Sequence, residues 1–587
     1  MKKSNEYVVT YLLDKFDKIV ENSAKQAEKR KIGFKDVQKR MIQHMTKHRG
    51  AIAAFGVGVG KTLTGVATAD CLVKIGDMLG KKVQVLVVTP TSLQENFKKE
   101  MKRYGSNPSD PAYKFYTIDT FSRRLKEDKV PDIENSFVII DEAHNLKKDF
   151  RMEFAAIQMG KAKGTRADIC LECTKKSWKV LLLTATPVYN MPHDIVNLAA
   201  MARGENPPIT RGPWDKFCID SYVNLSTQEQ EKCDEELKNY FGCILSFAQA
   251  PKRGYPDVIV KIVPIVMNPQ YLANYTLVEQ DAKAKVSRVK ISSYQEDEEE
   301  DTKGNAFMMA IRQASNNLFP CMKCDVVLKL IAEKQKVVIF SEFKNAGLDL
   351  IKQELDKKNI KYVEITGSTT KAERTRIVNL LNSDVENPKA DIPRVFFITK
   401  AGGEGLDLKG FRKVIIMESG WNEGMPTQVA GRAARYLSHE HLPENERNVT
   451  VYRLLMIKPT DVENLKDLTS GDRELVNKAM KNIANVPVGK MVKDDPQYIK
   501  AFQEYSNEKN PLKKRDLRKK LVELGRELAK KFEQERNADK PSADLYLYAK
   551  SLGKMEVNDI FSARLQKIDI NHLMCDDFLF NKDWDKK

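Results

Sequence analysis

Short, uninterrupted apolar runs recur along the chain and alternate with stretches that have the apolar spacing of a helix. Such runs are typical of strands that are buried on both faces of a parallel sheet. They predict two successive α/β domains, each built on a doubly wound parallel sheet. The runs lie at residues 50–55, 83–88, 115–121, 137–140, 180–184, 337–343, 361–368, 395–400 and 414–417.

The same pattern divides the chain into five segments. We predict an N-terminal helix at 1–33, a first parallel-sheet lobe at 34–205, an irregular insertion at 206–325, a second lobe at 326–460 and a basic, helical C-terminal extension at 461–587. Within the insertion, residues 258–266 are predicted as a strand and 271–280 as a helix. The acidic run at 295–301 is predicted to be a solvated or disordered loop.

The first apolar run leads into the sequence GVGVGKT, which contains Gly58 and Gly60 and ends at Thr62. A strand, a glycine-rich loop and a helix together turn backbone N–H groups toward an anion, and glycine lets the backbone curl around phosphates. Lys61 is placed to reach the β and γ phosphates, and the Thr62 hydroxyl to ligate Mg²⁺. Phe55 stands where the general G-x-x-x-x-G-K-T pattern has its first glycine, so this motif alone does not select one nucleotide-hydrolase family.

Two carboxylates, Asp141 and Glu142, follow the apolar run at 137–140. Ligands of doubly wound sheets bind at the carboxyl ends of the strands. We therefore expect Asp141 to hold Mg²⁺ through water and Glu142 to polarise an attacking water. After the run at 83–88 come Pro90, Thr91 and Ser92, which are suited to phosphate contacts. The run at 180–184 ends in Thr184 and is followed by Thr186, and these two residues could couple the phosphate site to a nucleic-acid groove.

The second predicted lobe contains the sequence QVAGRAAR, in which Arg432 and Arg435 lie three residues apart at a predicted helix start. Two such guanidinium groups can project together and stabilise the transition-state charge on a γ-phosphate bound by the first lobe. A basic surface turn is the alternative, but it does not explain the glycine-rich loop at 401–408. In the first lobe, Gln38 lies on a predicted helix before the phosphate loop, and its amide can both donate to and accept from an adenine edge.

Composition and charge indicate the partners. The chain has 587 residues with 98 Lys and Arg against 81 Asp and Glu, a net charge of +17. This excess suits a polyanionic partner, although a lysine-rich composition without specific meaning stays open. No apolar run approaches the ~20 residues of a membrane span, and the charged N-terminus lacks a signal-peptide hydrophobic region. We therefore expect a cytoplasmic protein without a membrane partner.

Nine cysteines are spread along the chain, an odd number that argues against a disulfide framework. The pairs Cys170/Cys173 and Cys321/Cys324 together have the ligand types of a four-thiolate zinc site. They are far apart in the sequence, so ordinary thiols remain the default. At 511–520, a basic stretch begins a helix with an apolar leucine stripe, which suits either packing or a nucleic-acid contact.

The ordered motifs GVGKT, TPTSL, DEAH, LTATP, GGEGLDL and Q-x-x-G-R-x-x-R resemble those of the superfamily 2 DEAH-box helicases and translocases. The resemblance covers residues 34–460, both predicted lobes. Trp421-Asn422 and the stretch at 436–451 resemble the Snf2-like branch of large cytoplasmic DNA viruses, which includes poxvirus early transcription factor small subunits and nucleoside triphosphatase I proteins. Val57 replaces the usual Thr and leaves the role of that position open. The resemblance implies two RecA-like lobes that hydrolyse ATP with Mg²⁺.

The resemblance also implies roles for individual residues. Catalysis is implied for Lys61, Asp141, Glu142, Gln428, Arg432 and Arg435. Binding of ATP is implied for Gln38, Gly58, Gly60, Lys61, Thr62, Gly405 and Asp407. Contacts with a nucleic-acid backbone are implied for Pro90, Thr91, Ser92, Thr120, Ser341, Gly367, Thr399, Gly402 and Gly403.

The sequence thus predicts an ATP-driven motor that moves along a nucleic acid. Duplex DNA is favoured through the branch resemblance only, and single-stranded DNA and RNA stay open. The alternative is a transcription factor whose ATPase drives promoter or transcript release, with a viral RNA polymerase or transcription-factor subunits as partners. A viral member would act in the host cytoplasm or the virion, and the nucleus is not excluded.

Overall fold

The structure is a computed structural model of the chain. It describes residues 2–56, 58–127, 129–130, 132–146, 166–185, 188, 192–208, 215–219, 221–249, 253–288, 308–333, 335–387, 390–400, 406–421, 423–483, 495–507, 511–537 and 540–570. Two six-stranded sheets form the cores of two lobes. The acidic run at 295–301 lies outside the described residues.

The first lobe is built on a sheet with the strand order β3-β2-β4-β5-β1-β6, and all neighbouring strands are parallel. Its strands are β1 (Gly50–Phe55), β2 (Gln84–Val88), β3 (Tyr113–Tyr116), β4 (Ser136–Asp141), β5 (Lys179–Thr184) and β6 (Leu245–Ala248). Ala51 and Ala53 pack into a core on one face of the sheet, whereas Ile52 and Ala54 pack into a core on the other. The uninterrupted apolar runs therefore reflect helices on both faces.

Eight helices surround this sheet in the described part of the first lobe. They are α1 (Lys2–Lys29), α2 (Asp36–Lys47), α3 (Lys61–Met78), α4 (Thr91–Tyr104), α5 (Ile118–Lys126), α6 (Arg166–Lys176), α7 (His193–Arg203) and α8 (Thr227–Phe241). The N-terminal helix α1 is part of the lobe, since Phe16 and Val20 are buried in the same core as α2 and α3.

The second lobe has a sheet of order β7-β12-β11-β8-β10-β9, again with parallel neighbours. Its strands are β7 (Asp257–Val266), β8 (Lys336–Phe340), β9 (Tyr362–Ile365), β10 (Val395–Ile398), β11 (Phe411–Ile416) and β12 (Asn448–Ile457). Its helices are α9 (Pro269–Arg288), α10 (Met322–Ile331), α11 (Asp349–Lys357), α12 (Lys371–Asn382) and α13 (Gly424–Ala433). The predicted fold class, two tandem doubly wound lobes, is confirmed.

The segment predicted as an irregular insertion, 206–325, differs from the prediction. Its β6 joins the first sheet beside β1, and its β7 pairs with β12 along ten residues of the second sheet. The sequence hides this because β6 is only four residues long and β7 is an edge strand whose Val258 and Val260 are exposed. The lobes are therefore joined by a short linker near residues 249–256 rather than by a separate insertion.

The C-terminal extension consists of α14 (Val462–Thr469), α15 (Arg473–Ile483), α16 (Pro496–Asn507), α17 (Pro511–Asn537) and α18 (Ala543–Gln566). The last of these helices contacts both lobes. At its start, Asp544 forms a fully buried ion pair with Lys323 of the second lobe (Oδ2–Nζ 2.7 Å). Near its end, Arg564 pairs with Asp234 of the first lobe (2.6 Å), and Phe561 lies in the first lobe's core. Helix α18 therefore braces the lobes against each other.

The cysteines differ in part from the prediction. Cys218 is bonded to Cys233 and Cys321 to Cys324, whereas Cys170 and Cys173 are buried free thiols. No group of three or more His, Cys, Asp or Glu side chains suited to a metal occurs in the described part of the chain. The two Cys pairs therefore do not form one zinc site. None of the described helices combines the length and hydrophobicity needed to cross a bilayer.

Candidate active site

The glycine-rich loop connects β1 to α3 at the carboxyl edge of the first sheet. Gly58 and Gly60 adopt positive φ angles of 80° and 99°, which favour glycine. Helix α3 begins at Lys61 directly after Gly60, which has no side chain to cap the first N–H groups of the helix. These groups are thus left for an anion. The arrangement fits a phosphate chain, as the sequence predicts.

Gln38 supports this loop from α2. Its side chain is buried; Nε2 donates to the Gly60 carbonyl at 3.1 Å, and Oε1 accepts from the Lys35 backbone N–H at 2.8 Å. The Lys35 ammonium in turn donates to the Gly58 carbonyl at 3.3 Å. Gln38 therefore stands beside the phosphate loop, where it was predicted, with its amide engaged by the backbone. Its reading of adenine stays a prediction.

The Lys61 ammonium donates to the Phe55 carbonyl at 3.1 Å. Burial lowers the pKa of Lys61, whereas the charges of Glu142 and Asp141 raise it. The charges of Arg432 and Arg435 lower it again, so both arginines of the second lobe lie within electrostatic reach of Lys61. The structure thus brings together the five charged residues for which catalytic roles were predicted.

Asp141 ends β4 and is 5% exposed. Burial and then the neighbouring Glu142 raise the pKa of Asp141 to about 6. The Thr89 hydroxyl, at the end of β2, donates to Asp141 Oδ2 at 3.3 Å and orients it. Glu142 has φ = 53°, an uncommon conformation for a residue other than glycine. Such strain is concentrated at functional sites.

His144 links the carboxylate pair to β5. Its Nδ1 lies 3.3 Å from Glu142 Oε2 and 3.2 Å from the Thr184 hydroxyl. Thr184 is fully buried and contacts the carboxylate pair through His144. Thr186, the other residue predicted to couple the sites, lies outside the described residues.

The second lobe contributes helix α13 and the residues after it. Gln428 and Arg432 are four residues apart, so they share one face of the helix. The arginines were predicted to lie at a helix start, and this prediction is wrong. The helix ends at Ala433, so Arg432 is in its last turn and Arg435 lies beyond it. Arg435 Nη1 lies 3.4 Å from Asp407 Oδ1.

Several residues that were predicted to contact a nucleic acid lie just after strand ends of the two lobes. Pro90 and Thr91 begin α4, where Thr91 is exposed, and Thr120 is half-buried in the first turn of α5. On the second lobe, a cavity of about 380 Å³ is lined by Glu342, Lys344, Thr366, Gly367, Ser368, Thr399 and Lys400. Across the cleft, Lys371 of α12 lies 3.7 Å from Glu95 of α4.

Ser341 differs from the prediction of a backbone contact. It is fully buried, and its hydroxyl donates to both carboxylate oxygens of Glu418 at 3.0 Å. It holds the end of β8 and does not face the cleft. Gly402, Gly403 and Gly405 lie outside the described residues, and nothing is described of the Ser92 side chain.

The residues fit Mg²⁺ bound together with a nucleotide. Asp141, a buried carboxylate, lies at the end of β4, and Thr62 lies with its hydroxyl group at the start of α3. Mg²⁺ is commonly held by one or two carboxylates with substrate phosphates completing its shell.

Thr89, His144 and Tyr255 were not among the predicted site residues. Thr89 and His144 are adjacent to the predicted motifs in the sequence, and both contact the predicted carboxylates. Tyr255 is half-buried in the linker between the lobes, and its hydroxyl lies against Gly58 of the phosphate loop. No sequence signal marks Tyr255, because its position depends on how the lobes meet.

Comparisons with known proteins agree with this geometry. Residues 31–189 match the family described as type III restriction enzyme, res subunit, and residues 322–437 match the helicase conserved C-terminal domain. A putative ATP-dependent RNA helicase of Acanthamoeba polyphaga mimivirus is 27% identical over 451 residues, covering 74% of this chain and 91% of the relative. A termination factor NPH-I homolog of African swine fever virus is 22% identical over 526 residues, covering 73% and 72%.

A further relative is the nucleoside triphosphatase I of Choristoneura biennis entomopoxvirus, 29% identical over 174 residues, which cover 30% of this chain and 25% of the relative. Among solved structures, the Sulfolobus solfataricus SWI2/SNF2 ATPase core in complex with double-stranded DNA aligns at 18% identity and a TM-score of 0.29, covering 76% and 92%.

Proposed function

We propose that this chain is an ATP-driven motor that moves along a nucleic-acid backbone, as its resemblance to the Snf2-like branch of the superfamily 2 helicases implies. One observation carries the proposal. Groups from both lobes converge on the phosphate loop: Lys61 lies among the charges of Asp141 and Glu142 of its own lobe and of Arg432 and Arg435 of the other, and Tyr436, which follows Arg435, lies against Gly58. A hydrolytic site divided between two lobes can convert a chemical step into lobe movement.

Each residue has a definite task in the proposed reaction. ATP with Mg²⁺ supplies the phosphoanhydride bond whose hydrolysis drives the cycle. The N–H groups at the start of α3 and the Lys61 ammonium bind the phosphates, and Asp141 with Thr62 would hold the metal. Glu142 orients the attacking water and accepts its proton. The guanidinium groups of Arg432 and Arg435 stabilise the charge that develops on the γ-phosphate.

The cleft between the lobes, where Glu95 of α4 faces Lys371 of α12, is suited to opening and closing. The contact between Lys371 and Glu95 joins exposed side chains, and exposed ion pairs contribute only about 0–1 kcal/mol. Such a contact can break in each cycle. Closure would bring the arginines onto the phosphates, and release of the products would allow the lobes to separate.

The nucleic acid is proposed to lie along the edges that carry Thr91, Thr120, Gly367 and Thr399. Small hydroxyl residues, glycines and nearby lysines suit phosphate oxygens rather than base edges. The net charge of +17 supports this partner and predicts binding that weakens with salt. We favour duplex DNA. A role in transcription, with a viral polymerase or its factors as partners, is suggested by the name of the termination-factor relative.

The test is ATP hydrolysis with no polymer, single-stranded DNA, duplex DNA and RNA, with Lys61→Ala as the inactive control. Stimulation by duplex DNA that is absent from the control would support the proposed translocase. Stimulation by single strands alone would favour an unwinding helicase or a transcript-release factor. A chain that hydrolyses no ATP under any of these conditions would contradict an autonomous motor.

A further inference from the structure

The linker between the lobes places an aromatic side chain on the phosphate loop. A methyl group built on Gly58 would lie 1.9 Å from the Tyr255 hydroxyl oxygen and 3.2 Å from its ring carbon Cζ. The phenol therefore lies directly against Gly58 of the loop. Gly58 must lack a side chain for this reason, in addition to its positive φ of 80°. A residue from outside the first sheet thus shapes the site that holds phosphates.

The same tyrosine is held from the second lobe. Its ring packs against Tyr436, with 5.6 Å between the ring centroids. The preceding residue, Gly254, accepts a hydrogen bond from the Leu437 N–H at 2.7 Å. A methyl group on Gly254 would lie 2.7 Å from the Tyr436 ring. Tyr436 and Leu437 directly follow Arg435, so the linker is fixed to the segment that carries the predicted arginine finger.

The hydroxyl of Tyr255 has the right character for a phosphate. Burial raises the pKa of Tyr255, the charge of Arg435 opposes this rise and Tyr436 adds to it. Arg435 is therefore close to the phenol, and the group remains a neutral O–H donor at neutral pH. A hydrogen bond from a neutral donor to a charged oxygen is stronger than one between neutral groups.

We propose that Tyr255 is a nucleotide-binding residue whose hydroxyl donates to the phosphate chain held by the loop that contains Gly58. This inference rests on the proposed ATP site and adds the linker to it. Tyr255 belongs to neither the loop nor the arginine segment but contacts both. A bound phosphate chain would therefore draw the linker and Tyr436 toward the first lobe, which couples nucleotide occupancy to the position of the second lobe.

Equilibrium binding of fluorescent ATP, ADP and AMP analogues with Mg²⁺ tests the proposal on the full chain. Tyr255→Phe removes only the hydroxyl. We expect the Kd for ATP and ADP to rise about tenfold, since one charge-assisted hydrogen bond is lost, whereas the Kd for AMP changes less. Tyr362→Phe is the matched control because this half-buried tyrosine lies in β9 of the second lobe, away from the phosphate loop, and should bind all three nucleotides as the wild type does.

The outcomes separate this inference from the proposed function. If the wild type binds no nucleotide, the proposed function fails. If the wild type binds ATP and Tyr255→Phe binds it equally well, the phosphate contact is refuted. Tyr255→Ala provides a second check: tighter ATP binding would mean that the ring only obstructs the loop, which also contradicts the proposal. A thermal melting temperature close to that of the wild type for Tyr255→Phe excludes misfolding as the cause of a weaker Kd.

Discussion

The two lobes differ in how completely each holds its part of the site. In the first lobe, Lys61, Asp141 and Glu142 are each held by neighbours of the same lobe, namely the Phe55 carbonyl, Thr89 and His144. In the second lobe, Arg432 lies in the last turn of a helix and Arg435 lies beyond it. The part of the site on the first lobe is therefore preformed, whereas the position of Arg432 and Arg435 relative to it depends on how the lobes are arranged.

The connections between the lobes explain how such a division can work. Helix α18 is anchored by a fully buried ion pair at its start and by a partly exposed ion pair near its end, so it limits how far the lobes separate. The linker near Tyr255 instead contacts the nucleotide loop directly. One connection limits how far the lobes can separate, and the other lies where a bound nucleotide would act on it.

The largest effect is expected from removing one group of the second lobe. Arg432→Ala should lower the kcat of ATP hydrolysis by about 10³-fold or more, the range known for arginine fingers, while the Kd for ATP changes by less than about threefold. Lys61→Ala should instead impair both binding and hydrolysis. Steady-state kinetics and nucleotide titration separate the two variants.

Arg376→Ala is the control for this comparison. Arg376 is an exposed arginine on α12 that pairs with Glu373 at 2.7 Å, and its loss should leave both constants unchanged. A large loss of ATP affinity in Arg432→Ala would show that the second lobe also forms part of the resting binding site. The contrast between the lobes would then be wrong.

Most of the site residues on the first lobe could be predicted from the sequence, whereas fewer of those on the second lobe could. Lys61, Asp141 and Glu142 sit in or beside short apolar runs whose strand ends fix their position, so local pattern is sufficient. Arg435 lies past a helix end that the pattern did not locate, and Ser341 follows an apolar run yet points inward to Glu418. The direction of a side chain at a strand end depends on packing that a single sequence does not display.

The lobe boundaries show the same limit. A strand was predicted at 258–266, where β7 lies, but neither β6 nor β7 was assigned to a sheet, because the strands that they pair with are distant in the sequence. Tyr255 is the clearest case. Its place on the phosphate loop exists only after the lobes have packed together, and no local pattern can predict it.

The next effect concerns the brace between the lobes. Asp544 is fully buried, pairs with Lys323, and accepts hydrogen bonds from the Ser419 and Met456 N–H groups at 3.2 and 2.9 Å. Asp544→Ala leaves a buried, unpaired Lys323, which costs about 3–5 kcal/mol. The thermal melting temperature should fall by several degrees.

Glu556→Gln on the same helix is the matched control, because Glu556 is exposed and lies 3.7 Å from Arg473. Its melting temperature should stay close to that of the wild type. An Asp544→Ala protein that melts like the wild type would show that α18 does not brace the second lobe in solution.

A smaller effect concerns the pH dependence of the free energy of unfolding, to which the buried Lys179 of the first lobe contributes. Lys179 is buried at the start of β5 and donates to the His48 carbonyl at 2.5 Å. Burial, and then the charge of Arg49, lower the pKa of Lys179 from 10.5 to about 7. The folded state therefore binds fewer protons than the unfolded state between these two pH values, so this residue makes stability rise with pH across that window.

Chemical unfolding at pH 7 and pH 9.5 measures the rise. Lys179→Met should reduce it by about 1–3 kcal/mol, since each pKa unit corresponds to about 1.4 kcal/mol. Lys176→Met, at an exposed position of α6, should keep the wild-type pH dependence. An unchanged rise in Lys179→Met would mean that Lys179 is hydrated and keeps an ordinary pKa.

The smallest effect distinguishes two roles for Asp407, namely binding the nucleotide, as predicted, or restraining Arg435. Asp407 pairs with Arg435 at 3.4 Å, and 55% of the Asp407 side chain is exposed. An exposed pair contributes about 0–1 kcal/mol. If Asp407 only restrains Arg435, Asp407→Asn should change the KM for ATP and the kcat by no more than about twofold, and added salt should reduce even this difference. If Asp407 contacts the nucleotide itself, the KM should rise at least tenfold and the rise should persist in salt. Hydrolysis measured at two ionic strengths therefore decides whether the second lobe contributes a binding group or only arginines whose position closure sets.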